Sequence, residues 1–227
     1  DPLRRQRQMC IRDRFHSAAP LKETMAAAML MLTNWKPDMP LYDVFTGSGT
    51  LAIEAAMIGR NIAPGINREF VSQEWKCIPK KAWFDAINEA NEKAEWDKPL
   101  KIYASDVDPE MVKLAKTNAE LADVRDAINV MQRDAADFKP KEDFGVIIGN
   151  PPYGERLEDV REVHQLYRKI GTAYKEFPYY SVYMITSYVE FEKAYGRPAT
   201  KRRKLYNGNI EVQFYQYYGL RRKRPQA

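Results

Sequence analysis

The segment from Leu41 to Met57 constrains this chain more than any other. Leu41-Tyr42-Asp43-Val44-Phe45 reads as a strand, Thr46-Gly47-Ser48-Gly49-Thr50 as a glycine turn, and Leu51-Ala52-Ile53-Glu54-Ala55-Ala56-Met57 as a helix. A strand that runs through glycines directly into a helix is the opening unit of a nucleotide-binding α/β domain. Glycines let a ligand come close to the backbone, and the helix start adds the positive end of its dipole. Gly47-x-Gly49-x-x-Ala52 also fits the dinucleotide fingerprint, which is weak in isolation. Asp43 argues for a different ligand, because a carboxylate just before the turn suits a cation rather than a pyrophosphate. An acid that caps a tight turn is the plain alternative.

The rest of the chain alternates strands and helices. Leu21 to Trp35 reads as a helix with a Met-rich apolar stripe, Pro20 opening its first turn. Residues 59–100 read as an insertion, irregular and then helical, whose Trp75, Trp83, Phe84 and Trp96 suit packing. Lys101–Ala104 is a second strand that ends at Asp106, where a carboxylate is placed to accept both hydroxyls of a ribose. Asp108, just before Pro109, is the natural N-cap of a helix over Glu110–Leu121. Ile128–Met131 is a third strand; beyond it Asp134 could accept an adenine amino group beside the backbone of Ala135, or be a surface acid. After Asn150-Pro151-Pro152-Tyr153 come a helix over Val160–Tyr174, a strand over Tyr179–Thr186, and a helix over Val189–Tyr195. A last strand, Glu211–Tyr218, is entered through the tight reversal Asn207-Gly208-Asn209 and sits near the sheet edge.

The tetrapeptide Asn150-Pro151-Pro152-Tyr153 follows the apolar run Val146-Ile147-Ile148. Two prolines cannot continue a ladder, so the strand stops and leaves a stiff segment at its carboxyl end. Ligands bind at such ends in open α/β sheets. Asn150 Oδ1 and the Pro151 carbonyl could accept the two N–H bonds of an exocyclic amine while Tyr153 stacks on its ring. A proline-terminated strand followed by a turn remains open at this point.

Charge and cysteine content narrow the classes further. The net charge of +5 over 227 residues is confined to the ends: +3 in residues 1–14 and +7 in 187–227, against −5 between them. Lys201-Arg202-Arg203-Lys204 and Arg221-Arg222-Lys223-Arg224 are either phosphate-binding clusters or solvated loop and tail. Cys10 and Cys77, with His16 and His164, give no metal-ligand spacing, so neither a metal site nor a disulfide framework is expected. No apolar run spans a membrane, and the expected location is the cytoplasm.

Four motifs in this order closely resemble class I S-adenosylmethionine-dependent RNA methyltransferases: Asp43-x-Phe45-x-Gly47-Ser48-Gly49-Thr50, Asp106-x-Asp108, Asp134-Ala135 and Asn150-Pro151-Pro152-Tyr153-Gly154-Glu155-Arg156. The match is to the THUMP-associated subgroup of the YpsC and RlmL N-terminal type. The resemblance implies a Rossmann-like α/β domain over 15–218, with a mostly parallel seven-stranded sheet, an antiparallel last strand and helices on both faces. It implies S-adenosylmethionine as cofactor, held by Asp43, Thr46, Gly47, Ser48, Gly49, Thr50, Asp106, Asp134, Ala135 and Asn150. Lys22 and Thr24, in Ala19–Thr24, border its methionine end by the same resemblance. The implied reaction is N2-methylation of a guanine in large-subunit (23S) ribosomal RNA, with Asn150, Pro151, Pro152 and Tyr153 as the catalytic segment. Arg156 and Lys201–Lys204 (Lys201, Arg202, Arg203, Lys204) are then expected to meet RNA. Methylation of a transfer-RNA guanine or of adenine N6 in DNA is the alternative. The subgroup carries a THUMP domain, which this chain lacks. The expectation is therefore an N-terminally truncated piece in which 1–14 is a non-native leader and 219–227 a basic tail.

Overall fold

The structure, a computed structural model, describes residues 21–153 and 157–221. The expected leader at 1–14 and the tail cluster beyond Arg221 lie outside the described residues.

In chain order the elements are α1 (Glu23–Met31), β1 (Leu41–Asp43), α2 (Thr50–Gly59), α3 (Lys80–Lys93), β2 (Ile102–Asp106), α4 (Pro109–Leu121), β3 (Ile128–Gln132), β4 (Gly145–Gly149), α5 (Leu157–Tyr174), β5 (Tyr180–Thr186), α6 (Phe191–Tyr195), β6 (Lys201–Asn207) and β7 (Ile210–Tyr217). They form a seven-stranded sheet in the order β3-β2-β1-β4-β5-β7-β6. Strands β1 to β5 pair in parallel, and β7 is antiparallel to both its neighbours. β1, β4 and β5 are buried along their whole length, which is why they read as mainly apolar runs without alternation, Asp43, Ser181 and Thr186 being the polar exceptions. One core, including Ile53, Ile148, Tyr183 and Phe214, covers one face of the sheet. A second, aromatic core with Tyr42, Phe138, Tyr167 and Phe191 covers the other. Helix α2 is buried at every position but Ile58, so it lies inside the first core.

Two expectations need correction. Lys201–Lys204 is not a solvated loop: it opens strand β6, the sheet edge, paired with β7 from Lys201↔Gln216 to Asn207↔Ile210. Every residue from Lys201 to Lys204 stays exposed, because an edge strand lets side chains of either face reach water. The insertion is only partly packing: Trp83 stacks on Phe70 and Trp96 lies against the first core, yet Trp75 and Phe84 are 56% and 64% exposed. Helix α3 buries none of its residues.

Sequential strands run outward from β1 to β3 on one side, and β4 to β5 leaves on the other. The strand order therefore reverses between β1 and β4. The crevice at such a point is where open α/β sheets hold ligands.

Candidate active site

The loop after β1 is tied to both α4 and β2. Gly47 and Gly49 take positive φ, +50° and +88°. A Cβ on Gly49 would come within 3.2 Å of the Ala115 backbone on α4, so that glycine is required by packing as well as conformation. A Cβ on Gly47 would meet nothing within 4 Å, so the space above this residue is open. Asn118 Nδ2 donates to the Ser48 carbonyl at 2.8 Å, tying the loop to α4. The Gly47 N–H donates to Asp106 Oδ2 at 2.9 Å, tying it to β2. Ser48 Oγ and Thr50 Oγ1 lie 3.2 Å apart, both buried, so they bond to each other rather than face the crevice.

Asp43 lies sealed beneath this loop, fully buried. Thr46 Oγ1 donates to its Oδ2 at 2.8 Å. Its Oδ1 is buried with no hydrogen-bond partner. Burial pushes this carboxyl up to about 7, against the pull of the Thr46 hydroxyl and with a push from the Asp106 charge. The Phe45 and Ala52 amides lower it a little without closing a hydrogen bond to Oδ1. A cation above the loop would feel this charge through the loop, not as a surface ion pair.

Asp106 is half-buried, and its second oxygen accepts from the Asp108 N–H at 3.1 Å. Two amides thus fix the carboxylate while spare lone pairs face outward. Asp108 caps α4, accepting from the Glu110 N–H at 2.8 Å. Between them Val107 is 64% exposed, an apolar side chain at the crevice rim that sequence reasoning passed over. Asp134 is exposed and caps a short 3-10 turn, accepting from the Ala136 N–H at 2.8 Å. A cavity of about 70 Å³ lies alongside, lined by Tyr42, Tyr103, Ser105, Asp134, Ala135 and Phe138 among others. Lys22 is the exposed N-cap of α1, with Thr24 exposed in the first turn; α1 packs on α2, the helix that carries the glycine loop.

Across the crevice stands the tetrapeptide. Asp43 is level with Ile148, so Asn150 is level with Phe45, one residue before the loop begins. Gly149 is needed here, since a Cβ would lie 2.9 Å from the Phe45 ring. Asn150 and Tyr153 are half-buried, Pro151 is buried and Pro152 exposed. The Tyr153 hydroxyl donates to Asn150 Oδ1 at 2.7 Å. Burial pushes that hydroxyl up to about 12, and Asn207 on β6 pulls weakly the other way. Tyr153 is therefore a protonated donor at neutral pH, and Asn207 brings the tip of the β6–β7 hairpin to the site. An amide oxygen has two acceptor positions, so Oδ1 keeps one for a substrate N–H.

Neither proline has an N–H, so the backbone of Pro151-Pro152 can be anchored only through its carbonyls. Fully buried Tyr167 does this, donating to the Pro152 carbonyl at 2.6 Å. Tyr167 also lies 2.9 Å from Thr186 Oγ1, which accepts from the Tyr188 N–H at 3.0 Å. With the Tyr167 proton committed to Pro152, the Thr186 hydroxyl must donate to Tyr167. The chain of donors runs one way: Tyr188 N–H, Thr186, Tyr167, Pro152 carbonyl. The Pro152 carbonyl is thereby fixed in place, and the Pro151 carbonyl is the acceptor next to Asn150 in the chain.

A family profile described as "UPF0020: RMKL-like, methyltransferase domain" matches residues 11–216. The chain belongs to this family. "Putative RNA methyltransferase YpsC" of Bacillus subtilis is 54% identical over 208 residues, 92% of this chain and 54% of that protein. "Ribosomal RNA large subunit methyltransferase K/L" of Shewanella frigidimarina is 41% identical over 86% of this chain and 28% of that protein. The chain thus spans about half, or less, of the relatives it matches. Among solved structures, that of SMU.472, "a putative methyltransferase complexed with SAH", is 44% identical with a TM-score of 0.89, covering 95% of this chain and 57% of that one. A Listeria monocytogenes structure described as "a predicted N6-adenine-specific DNA methylase" is 52% identical with a TM-score of 0.84, over 90% of this chain and 53% of that one.

The expected residues fall into three groups. Gly47, Asp106 and Asn150 border one crevice with Asp134 and Ala135 beside it, while Asp43, Thr46, Ser48, Gly49 and Thr50 lie buried beneath. Arg156 lies outside the described residues. Within the basic quartet Arg202 pairs with Glu192 at 3.1 Å and Lys204 with Glu211 at 2.8 Å. Among the described residues no three His, Cys, Asp or Glu side chains gather as a metal site, and no helix is long and apolar enough to cross a membrane.

Proposed function

We propose that this domain is an S-adenosylmethionine-dependent RNA methyltransferase that methylates N2 of a guanine in large-subunit ribosomal RNA. The observation that carries the reading is Asn150 standing level with Phe45 across the strand-order reversal from the open glycine loop. The residues fit the cofactor: an open cradle at Gly47, a buried anion at Asp43, a fixed carboxylate at Asp106 for a diol, and Val107 and Asp134 for a ring face and edge. The names of YpsC and the K/L enzyme support RNA as substrate, and the SAH-bound neighbour supports the cofactor.

When bound, the cofactor supplies an electrophilic methyl group. The chain supplies position. Asn150 Oδ1 and the Pro151 carbonyl hold the two amine N–H bonds, turning the nitrogen lone pair out of conjugation and toward the glycine loop. Tyr153 fixes the Asn150 amide by its hydroxyl. No strong base is needed, since the proton leaves after the methyl has arrived. A guanine within a duplex must first be unstacked. A THUMP module, as partner, belongs to the same proposal, as does a cytoplasmic setting.

Methylation of adenine N6 in DNA is the second reading, favoured by the description of the Listeria neighbour. The test is transfer from methyl-labelled cofactor to unmodified large-subunit ribosomal RNA, transfer RNA and DNA, followed by nucleoside mass spectrometry. N2-methylguanosine in the ribosomal RNA is expected. N6-methyl-2′-deoxyadenosine in DNA selects the second reading, N2-methylguanosine in transfer RNA alone overturns the ribosomal target, and label in none of the three overturns both.

A further inference from the structure

The four basic side chains of β6 alternate between the two faces of the sheet. In an antiparallel pair, directly opposed residues point the same way. Arg203 opposes Phe214 and Leu205 opposes Val212, both of the first core. Arg202 opposes Tyr215, of the second core. Lys201, Arg203, Leu205 and Asn207 therefore share one face, and Arg202, Lys204 and Tyr206 the other.

The two faces differ in charge. Arg202 is answered by Glu192, whose other oxygen accepts from the Ala199 N–H, and Lys204 by Glu211, with Tyr206 beside it. Lys201 and Arg203 are exposed and make no ion pair among the described residues. They also stand on the face of Asn207, which touches Tyr153 of the tetrapeptide. Because β6 runs in the same direction as β5, its end at Asn207 lies at the edge of the sheet that carries the crevice. From Lys201 to Asn207 the strand rises about 20 Å, with same-face side chains about 6.6 Å apart.

We infer that Lys201 and Arg203 form a phosphate ladder that leads an RNA strand up β6 to the tetrapeptide, and that Arg202 and Lys204 serve the sheet edge instead. The occupant fits by charge: two unanswered cations on one extended row meet successive phosphates of a strand whose target base reaches Asn150. The ladder rests on the RNA reading above. It makes half of the basic cluster, alike in sequence, a binding surface and half a structural one.

The test compares two double variants of the full chain, Lys201→Ala/Arg203→Ala and Arg202→Ala/Lys204→Ala. The probe is a fluorescent transcript of large-subunit ribosomal RNA, titrated by anisotropy over a range of KCl, with methyl transfer to the same RNA in parallel. The first variant should lose at least about tenfold in affinity and lower the salt slope by about 2, one for each phosphate contact. The second should leave the slope within about 0.5 of the parent. Binding of S-adenosylhomocysteine should match the parent in both; thermal unfolding should match in the first variant and fall by no more than a few degrees in the second, which loses two exposed ion pairs. Equal losses in the two variants overturn the division into faces. If the first variant binds the RNA with the parent's affinity and salt slope while the parent still methylates it, the ladder is wrong and the functional reading stands. If the parent methylates no nucleic acid, the functional reading falls and takes the ladder with it.

Discussion

The two loops that flank the crevice are built on opposite principles. The loop after β1 is rich in backbone N–H groups and is locked by side chains that accept from or donate to it: Asp106 at Gly47, Asn118 at Ser48, Asp43 at Thr46. The segment after β4 has two consecutive residues without an N–H, so it is held by donation to its carbonyl from Tyr167 and by the Tyr153–Asn150 bond. The first arrangement leaves open space above a rigid floor, which suits binding a ligand. The second leaves acceptors without donors, which suits gripping an amine. Binding and chemistry should therefore separate on mutation, each loop failing in its own way.

Asn150→Ala is expected to break the second loop's function most. Losing one positioned amide should cost roughly a hundredfold or more in methyl transfer, by analogy with loss of one preorganised hydrogen-bonding group. Calorimetric binding of S-adenosylhomocysteine should survive. Equal loss of both would show that the two loops act as one unit. Gly49→Ala tests the first loop. The positive φ together with a 3.2 Å clash on the α4 backbone should cost about 3 kcal/mol in chemical denaturation. Gly47→Ala should cost only about 1 kcal/mol, because nothing opposes the added methyl, yet it should weaken cofactor binding more than its stability loss explains.

These contrasts were partly legible in the sequence. The buried strands β1, β4 and β5 and the loop glycines announce themselves, because full burial demands apolar runs and tight turns demand glycine. β6 was hidden, since Lys201-Arg202-Arg203-Lys204 shows none of the apolar alternation that marks a half-buried strand. Its one signal was Asn207-Gly208-Asn209: Gly208 sits at φ +66° in a reversal closed by Asn207↔Ile210, and a reversal needs a strand on each side. Asp43 was readable as an acid before a glycine turn, but not as a sealed one. That depends on α2 and the loop packing over it. Tyr167 and Thr186 were out of reach, because no local pattern links Pro152 to residues 15 and 34 positions later.

That hidden anchor gives the next prediction. Tyr167→Phe keeps the ring in the aromatic core and removes the donor from the Pro152 carbonyl. Stability should fall by about 1–2 kcal/mol, as for a buried hydrogen bond with partners left unsatisfied. If the chain of donors positions the tetrapeptide, kcat should drop about tenfold with the cofactor's KM unchanged. A stability loss with kcat intact would make Tyr167 a core residue and nothing more.

The smallest effect on binding or turnover concerns Asp43, and its pH dependence has two signs. The folded carboxyl titrates near 7, against an ordinary value of 3.8, because burial disfavours its charge. The folded state therefore binds the proton more tightly than the unfolded one. The associated stability is fully present below about 3.8 and is lost as pH rises through about 7. Asp43→Asn, which cannot ionise, should be flat across that window, so parent minus variant stability should decline from pH 4 to pH 7. Cofactor binding should move the other way. A cationic ligand above the loop favours the ionised carboxylate, so the parent's affinity should rise several-fold between pH 6 and pH 8 while that of Asp43→Asn stays level. Opposed slopes in calorimetry and denaturation would assign Asp43 to the ligand's charge. A stability slope with no matching slope in binding would confine it to holding Thr46, and the first loop would then bind through shape and its outward carboxylate at Asp106 alone.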